Sequence, residues 1–513
     1  MIDPAQLPDN PDLLRQMVVD LATRLEEHER RFQRVQNILE QLLRWRFGRK
    51  SEKVDERQMV LIAIQWEAEG KTAGQLAAEL GLDPNDPLAP EQEKKPSKKP
   101  GHGRKPRSLA RERIEIELAE AERQCPHCER TMPRIGEEVS ERLEYIPASL
   151  KVIEEARAKY ACNCGGALKT APKTEQPIDK GLAGASLLAQ VAVAKYADHC
   201  PLHRQEGLFR RHGVELSRQT LCGWMRQTAE LLAPLYERLK AQALNSKVVQ
   251  TDDTPGPEGA PVLDPDRPRT RTGRIWTYVG ERSTVYDYTP TRGRDGPDRF
   301  LKDYRGYLQA DAYGGYDHLF KKEERGLVEV GCFAHARRHL YESLSSNLPA
   351  VAPALGYVGL LYRIERKGRG WSAAERLELR QRCAVPVLAE LKAFLERTRI
   401  SVLPKSPEGK AVAYALNNWE ALSRYAGDGD LAIDNNGAER SLRGVAVGRR
   451  NWTFFGSDNG GKTAAVLKSF IASCQRAKVE PWAYFKDVLG RIASHPVQAL
   501  DELLPANWKP AAA

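Results

Sequence analysis

The chain has 513 residues, of which 41% are hydrophobic and 29% charged, and its formal net charge is +10. This length exceeds what one hydrophobic core usually supports, so we expect three or four domains. The positive charge favours polyanionic partners, because basic side chains that contact phosphates release counterions. No apolar run reaches the roughly 20 residues that a bilayer span needs, which argues against a membrane protein.

A seven-residue repeat occupies residues 12–47. Its two repeating positions, offset by four residues, carry mostly apolar side chains, among them Leu14, Leu21, Val35 and Leu42, and Val18, Leu25, Phe32 and Leu39. The pattern predicts a coiled coil between subunits, with an amphipathic helix packed on its own chain as the alternative. We assign residues 1–83 to an N-terminal helical, coiled-coil region. Residues 84–108, rich in Pro, Lys and Gly, form a flexible basic linker that is either a solvated tether or a non-specific phosphate contact.

Two close cysteine pairs follow the linker. Cys125 and Cys128 are separated by two residues, and Cys162 and Cys164 by one. Four thiolates can complete a tetrahedral structural Zn²⁺ site, which lets a small module fold with little core. We therefore predict a zinc-binding domain at residues 109–180, with incidental buried cysteines as the alternative. An odd total of nine cysteines, four of them in such pairs, favours reduced thiols inside the cell over a disulfide framework.

Residues 181–244 have the pattern of a helical domain. A predicted helix at residues 202–212 is followed by Ser217, which is placed to cap a second helix beginning with Arg218 and Gln219. This is the spacing of a helix-turn-helix, in which polar residues at the start of the second helix contact DNA. We predict a DNA-binding role for those two residues, and an ordinary helical hairpin is the alternative.

From residue 245 the pattern changes to short β-branched strands. Five strands are predicted, at residues 247–251, 274–279, 284–288, 306–310 and 327–333. Three successive strands followed by alternating helix and strand are the order of an RNase-H-like α/β core. A helical insertion at 341–430 interrupts it, leaving 245–340 as its first part and 431–513 as its second part with the C-terminal helices. The fold class is therefore multidomain α+β.

Three acids are the candidate catalytic residues. Asp252 and Asp311 stand at the ends of the first and fourth predicted strands, and Glu439 lies one turn into a later helix. Carboxylates offer the hard oxygen ligands that Mg²⁺ prefers, and two Mg²⁺ (or Mn²⁺) ions suit in-line displacement at a phosphodiester. Each aspartate by itself would be interpreted as a turn residue. Since strand neighbours face opposite sides, we prefer Asp252 to Asp253 as a ligand, and we expect Asp434 to cap the helix of Glu439.

Arginines are frequent near these acids along the chain. The candidates for DNA binding are Arg292, Arg337, Arg338, Arg440, Arg449 and Arg450. Arginine clusters beside an acidic metal site fit DNA phosphate binding, while a solvated surface explains any single one equally well.

The sequence Cys332-Phe-Ala-His335 follows the fifth predicted strand directly. It offers two zinc ligands, and the two more that a closed site needs are missing nearby. We predict a structural role where the insertion joins the core, with contact between His335 and DNA as the alternative.

As a set, these motifs resemble the transposases of the insertion sequence sixty-six family, a bacterial group of the DDE type. The resembling segments include Phe47-Gly-Arg-Lys-Ser-Glu-Lys53, the cysteine pairs, Lys195-Tyr-Ala-Asp-His199, Gly331-Cys-Phe-Ala-His-Ala-Arg-Arg338, Glu439-Arg440 and Gly448-Arg-Arg-Asn-Trp452. The resemblance implies that Asp252, Asp311 and Glu439 are a catalytic triad and that the four cysteines belong to a zinc-binding domain. One departure is Asp253, where the family usually has Glu.

The motifs and the resemblance together predict a DNA transposase that binds the terminal inverted repeats of its element and cleaves and transfers strands with Mg²⁺. The expected partners are double-stranded DNA, further copies of the chain in a homodimer or higher oligomer, and small accessory transposition proteins. The expected location is the bacterial nucleoid in the cytoplasm. The alternative is a catalytically silent, sequence-specific DNA-binding regulator derived from a transposase.

Overall fold

The computed structural model describes residues 149–161, 168–179, 181–255, 272–321, 326–344, 346–452 and 454–510, with a few isolated positions before residue 149. These residues all belong to one compact unit. The predicted coiled coil, the basic linker and the four paired cysteines lie outside the described residues. No helix in the described ranges is long and apolar enough to cross a bilayer.

Two sheets are formed by the described strands. The strands are β1 (Lys159–Ala161), β2 (Leu168–Thr170), β3 (Val248–Pro255), β4 (Arg274–Val279), β5 (Thr284–Thr289), β6 (Gly306–Gln309) and β7 (Leu327–Val330). β1 and β2 make a small antiparallel pair, and the other five form one sheet in the order β5-β4-β3-β6-β7. β3, β4 and β5 are antiparallel neighbours, whereas β6 and β7 run parallel to β3.

Helices precede, interrupt and follow the large sheet. Before it come α1 (Ala185–Tyr196), α2 (Leu202–Arg211), α3 (Arg218–Leu231) and α4 (Ala233–Leu244). Between its strands lie the short α5 (Asp295–Phe300) and α6 (Asp317–Phe320). After β7 come α7 (Phe333–Glu342), α8 (Leu348–Lys367), α9 (Ala373–Leu379), a π-helical turn (Arg380–Ala384), α10 (Val385–Ser401), α11 (Pro407–Asn417) and α12 (Trp419–Ser423). The chain then forms α13 (Asn436–Asn451), α14 (Asp458–Ala477) and α15 (Pro481–Arg491).

The five predicted strands are all present, and the fifth is shorter than predicted. β7 ends at Val330, and Phe333 already begins α7. The reason is that the backbone N–H groups of Gly331 and Phe333 donate to Ala421 O and Ile433 O, at 2.9 and 3.1 Å. These backbone groups bond to distant segments of the chain instead of to a neighbouring strand. The strand-like side-chain pattern of the sequence therefore continues past the residue at which the strand ends.

Helix α14 covers the edge strand β5. An open strand edge exposes unpaired backbone groups, which proteins usually protect. Here the Ser469 hydroxyl accepts the N–H of Tyr286 at 2.8 Å. One helical turn later, the Ser473 hydroxyl accepts the N–H of Thr284 and donates to its carbonyl oxygen, both at 3.0 Å. Two serines on one helix face therefore satisfy this part of the edge strand.

The described residues form two large hydrophobic cores. One joins α1–α4 to the large sheet and to α14 and α15, with Trp224, Leu467 and Phe485 among its buried residues. The other includes Leu361 and Leu391 of the helical insertion together with Val330 of β7 and Phe333 of α7. The predicted domain boundary between residues 244 and 245 thus falls inside a single core, because helices from both ends of the described chain pack on the same sheet.

The predicted pair of helices in residues 202–231 is present as α2 and α3. The Ser217 hydroxyl caps α3 by accepting the N–H of Thr220 at 3.1 Å. Arg218 and Gln219 are exposed at the start of α3, whereas Trp224 is buried beneath them in the core. The sequence therefore predicted this local geometry correctly, and the DNA contact itself stays a prediction.

Candidate active site

Two parallel strands place Asp252 and Asp311 at the same edge of the sheet. Gln250 in β3 is in register with Gln309 in β6, and each aspartate lies two residues further along its strand direction. Asp311 occupies the turn after β6, where its carbonyl oxygen accepts a hydrogen bond from the Tyr414 hydroxyl at 3.1 Å. A residue of the insertion thus helps to hold the turn that carries the second acid.

Helix α13 brings Glu439 to this edge in its first turn. Asn435 occupies the N-terminal cap position of α13, and its side chain makes no capping hydrogen bond. The Asn435 side chain instead donates to Thr251 O at 3.2 Å and ties the start of the helix to β3. The capping contact predicted for Asp434 is present one position earlier, where its carboxylate accepts the Asn436 N–H at 3.2 Å.

A pair of glutamines, Gln309 buried and Gln250 half-buried, fastens the segment before α13 to the sheet. Gln250 Nε2 donates to Gln309 Oε1 at 2.9 Å and to Asp434 O at 3.0 Å. Gln309 Nε2 donates in turn to Ala432 O at 2.7 Å and to Gly331 O at 3.1 Å. Because strand residues two apart share a face, Gln250 lies on the same face of β3 as Asp252. These amides therefore position the chain that delivers Glu439.

The glutamine pair was missed by sequence reasoning, although the sequence contains a signal. The triplet Gln-x-Asp occurs twice, as Gln250-Thr-Asp252 and Gln309-Ala-Asp311, at the ends of two strands. A polar residue two positions before a candidate ligand, inside an otherwise apolar run, indicates a buried hydrogen-bonding role. The repeat of that pattern also points to the parallel register of β3 and β6.

The three acids share an electrostatic environment. Burial, which is the largest cause, and the negative charges of Asp311 and Glu439 together raise the pKa of Asp252 to about 7. The N–H of Asp253, which donates to Asp252 Oδ1 at 2.7 Å, acts in the opposite direction. The structure therefore brings the three predicted residues close enough to repel one another. Such a group of oxygen donors has the chemistry to hold a divalent cation.

Asp253, the neighbour of Asp252, has a different environment. Its side chain is only 2% exposed and forms ion pairs with Arg274 at 3.0 Å and Arg292 at 2.9 Å. The guanidinium of Arg292 also lies 4.3 Å from the centre of the Tyr313 ring. Asp253 is thus neutralised on the other side of the strand, as the alternation of side chains predicted.

The predicted DNA-binding arginines differ in what they contact. Arg292 is bound to Asp253, and Arg449 Nη1 donates to Thr254 Oγ1 and Pro255 O at 3.3 and 3.1 Å. These two arginines connect elements of the protein. Arg338 forms an exposed pair with Glu342 at 2.9 Å, and Arg337 is half-buried on the same helix. The remaining two, Arg440 and Arg450, are exposed on α13, the helix of Glu439.

Cys332 and His335 lie at the start of α7, beside Glu439. The distance from His335 Nδ1 to Glu439 Oε1 is 3.7 Å. The Cys332 thiol is buried, and its sulfur accepts the N–H of Asn435 at 3.4 Å. Glu439, which follows the insertion in the sequence, therefore lies near a thiol and an imidazole from residues that precede the insertion.

The chain belongs to a family of transposases. The model described as "Transposase IS66 family" matches residues 180–463, more than half of the chain, and this range contains Asp252, Asp311 and Glu439. The model of the "zinc-finger binding domain of transposase IS66" matches residues 122–165, which contain all four paired cysteines. The "IS66 C-terminal element" matches residues 469–506, and "Transposase C of IS166 homeodomain" matches residues 34–114.

Relatives of similar length occur in Sinorhizobium fredii (strain NBRC 101917 / NGR234). The uncharacterized protein y4qI is 31% identical and the alignment covers 99% of this chain and 98% of the relative. The uncharacterized protein y4hP is 32% identical, with 93% and 88% covered. A third, y4jD, is 35% identical over 77% of this chain and 80% of its own length. The similarity therefore extends over nearly the whole chain.

Proposed function

We propose that this protein is a DNA transposase that cleaves and joins DNA strands at Asp252, Asp311 and Glu439. The observation that carries the proposal is the convergence of these acids from two parallel strands and one helix. Burial and the negative charges of the other two acids raise the pKa of Asp252 to about 7. Membership of a transposase family supports it. The order of three antiparallel strands followed by two parallel ones supports an RNase-H-like core.

The donor set fits Mg²⁺ or Mn²⁺. All three side chains offer oxygen atoms, and their repulsion disfavours three negative charges unless a cation is bound. A pair of such ions, when bound, activates a water or a 3′-hydroxyl and stabilises the leaving oxygen of the phosphodiester. Strands β3 and β6 position two of the ligands. The glutamine pair holds the segment that leads to the third ligand, Glu439.

The DNA contacts that we propose lie on two parts of the described chain. Arg218 and Gln219, exposed at the start of α3, contact the element ends, while Arg440, next to Glu439, and Arg450, in the last turn of α13, contact phosphate. We assign binding of the inverted repeats to α3 together with the zinc-binding module. Pairing of two or more copies through residues 12–47 would bring two DNA ends together.

The decisive test is Asp311→Asn, which keeps the size of the side chain and removes one negative ligand. We expect Mg²⁺-dependent cleavage of element-end DNA to fall on the order of 10³-fold or more, because a transition-state contact is lost. Binding to the same DNA should persist. The measurements are gel-shift affinity and cleavage rate on candidate inverted repeats that flank the gene.

The matched control is Asp303→Asn, which alters an exposed aspartate in the turn before β6 and should leave the rate unchanged. Undiminished cleavage by Asp311→Asn would refute the site. If the natural protein binds the ends but cannot join pre-cleaved ends to target DNA, the DNA-binding regulator is the correct function instead. Cutting without preference for the element ends would identify a nuclease.

A further inference from the structure

Three side chains of different chemistry meet beside the proposed magnesium site. The Cys332 sulfur, a His335 ring nitrogen and a Glu439 carboxylate oxygen all lie within 4.8 Å of one another. Around a tetrahedral ion with ligand bonds of about 2.0–2.3 Å, neighbouring ligand atoms lie about 3.3–3.8 Å apart. The 3.7 Å between His335 Nδ1 and Glu439 Oε1 already matches that spacing. Small side-chain rotations would bring all three onto one ion.

The backbone holds the three ligands at the starts of two helices. Cys332 is the residue before α7, His335 lies in its first turn, and Glu439 lies in the first turn of α13. The bond from the Phe333 N–H to Ile433 O, at 3.1 Å, joins the two segments that lead into these helices. Helix N-termini stabilise negative charge, which favours the thiolate and carboxylate forms that bind metals.

A second layer of contacts orients the sulfur. The Asn435 N–H donates to Cys332 Sγ at 3.4 Å, and the Asn435 side chain is itself anchored to β3.

We propose that Cys332, His335 and Glu439 form a binding site for a thiophilic divalent ion, with Zn²⁺ and Co²⁺ as the class that fits. Sulfur and imidazole ligands select such ions over Mg²⁺, which takes oxygen ligands. This site is separate from the four paired cysteines at residues 125–164. A water or a DNA phosphate oxygen completes the fourth position, as in zinc sites with three protein ligands.

Glu439 belongs to both this site and the proposed magnesium site, which gives the ion a regulatory effect. An ion held by Cys332 and His335 withdraws the Glu439 carboxylate from Mg²⁺, so Zn²⁺ inhibits strand cleavage and Mg²⁺ competes with it. This consequence rests on the proposed function. The metal site itself depends only on the three ligands and can be tested without DNA.

The test is a Co²⁺ titration of the full chain after one equivalent of Zn²⁺ per chain has filled the zinc-binding module. We expect one further Co²⁺ to bind, with a sulfur-to-cobalt charge-transfer band in the near ultraviolet. Cys332→Ser should abolish that band. Cys474→Ser, which changes another buried cysteine on α14, should retain it. Absence of the band in the natural protein, or its persistence in Cys332→Ser, overturns the proposal.

A second variant keeps the test valid if Cys332→Ser fails to fold, as judged by circular dichroism. His335→Gln should weaken Co²⁺ binding about 10-fold or more while the band remains, because the sulfur still binds; unchanged affinity overturns the proposal. With DNA, the Zn²⁺ concentration for half-inhibition should rise at least about 10-fold in His335→Gln, relative to its own zinc-free rate. Cobalt binding without any Mg²⁺-dependent cleavage would refute the proposed function and leave this site standing.

Discussion

The helical insertion and the edge of the large sheet both contain buried charged side chains, and the charges around them are opposite in one region and alike in the other. In the insertion, Arg380 is 2% exposed and pairs with both oxygens of Glu365, from Nε at 2.8 Å and from Nη2 at 2.6 Å. Its guanidinium also donates to the carbonyl oxygens of Tyr425, Asp428 and Leu431. At the sheet edge, Asp252 is surrounded by charges of its own sign.

The difference separates a buried charge that is paired within the protein from one that lies among charges of its own sign. A buried ion is costly unless it is paired and hydrogen-bonded, and the Arg380–Glu365 pair meets that condition within the protein. Asp252 at the sheet edge does not meet it, since burial and the negative charges of Asp311 and Glu439 raise its pKa. A perturbed carboxylate without an opposite charge of its own is typical of functional sites. Substituting one charged residue in the insertion and one at the sheet edge tests this difference.

The largest effect on stability is expected in the insertion. Arg380→Gln leaves Glu365 buried without its partner, which should lower the free energy of unfolding of the insertion by about 3–5 kcal/mol. Hydrogen exchange of the α10 amides during urea unfolding measures this. Arg226→Gln breaks an exposed pair with Glu230 and should cost less than about 1 kcal/mol. If both variants lose stability equally, burial is not what distinguishes the Arg380 pair.

A somewhat smaller effect, which depends on pH, is expected at Asp252. Because its pKa is raised from 3.8 to about 7 in the folded protein, the protonated form favours folding, and stability falls as pH rises from about 4 through 7. The full shift corresponds to about 4 kcal/mol, and solvent screening reduces it to about 2–4 kcal/mol. Asp252→Asn should therefore be more stable than the natural protein at pH 8 and less sensitive to pH.

Thermal unfolding without Mg²⁺, and with the structural zinc retained, measures the effect of Asp252→Asn. Adding Mg²⁺ at pH 8 should stabilise the natural protein more than the variant, since the cation relieves the repulsion. Asp253→Asn is the matched comparison, and it should lower stability because Arg274 and Arg292 lose their partner. Equal pH profiles for the natural protein and Asp252→Asn would contradict the raised pKa of Asp252.

The smallest effect concerns the glutamines that position the third acid. Gln309→Leu leaves Gly331 O and Ala432 O without their donor, which should cost about 1–3 kcal/mol of stability. It should also raise the Mg²⁺ concentration for half-maximal cleavage by about 10-fold, because contacts behind metal ligands tune affinity. Gln381→Leu breaks a comparable amide-to-carbonyl bond with Ala426 O in the insertion and should leave the Mg²⁺ dependence unchanged. If both variants raise the Mg²⁺ concentration for half-maximal cleavage equally, general loss of stability explains the change.

Local patterns allowed much of the sheet and the candidate site to be predicted. Alternation of side chains predicted β3–β6 and distinguished Asp252 from Asp253, and the cap at Ser217 predicted the start of α3. These features depend on neighbouring residues only. The end of β7 was predicted wrongly because its backbone partners are about 90–100 residues away in the chain.

Partners that are distant in sequence account for the remaining differences. Nothing near Arg292 in the sequence reveals that it binds Asp253, so the arginine looked available for phosphate. Likewise, Arg449 contacts Thr254 across roughly 200 residues of chain. The cluster of Cys332, His335 and Glu439 is divided by the whole insertion. A single sequence shows residue types and local spacing, and it does not show which elements the fold brings together.

The bond between the Phe333 N–H and Ile433 O has a consequence for how the molecule assembles. It closes a loop of roughly 100 residues, whose ends cost about 4 kcal/mol of chain entropy to bring together. The hydrophobic core that the insertion shares with residues at both ends of this loop, among them Phe333 and Ile433, offsets this cost. During synthesis, Asp252 and Asp311 emerge well before Glu439. A chain whose synthesis has not yet passed the insertion therefore lacks the third acid. The insertion delays the moment at which all three acids can come together.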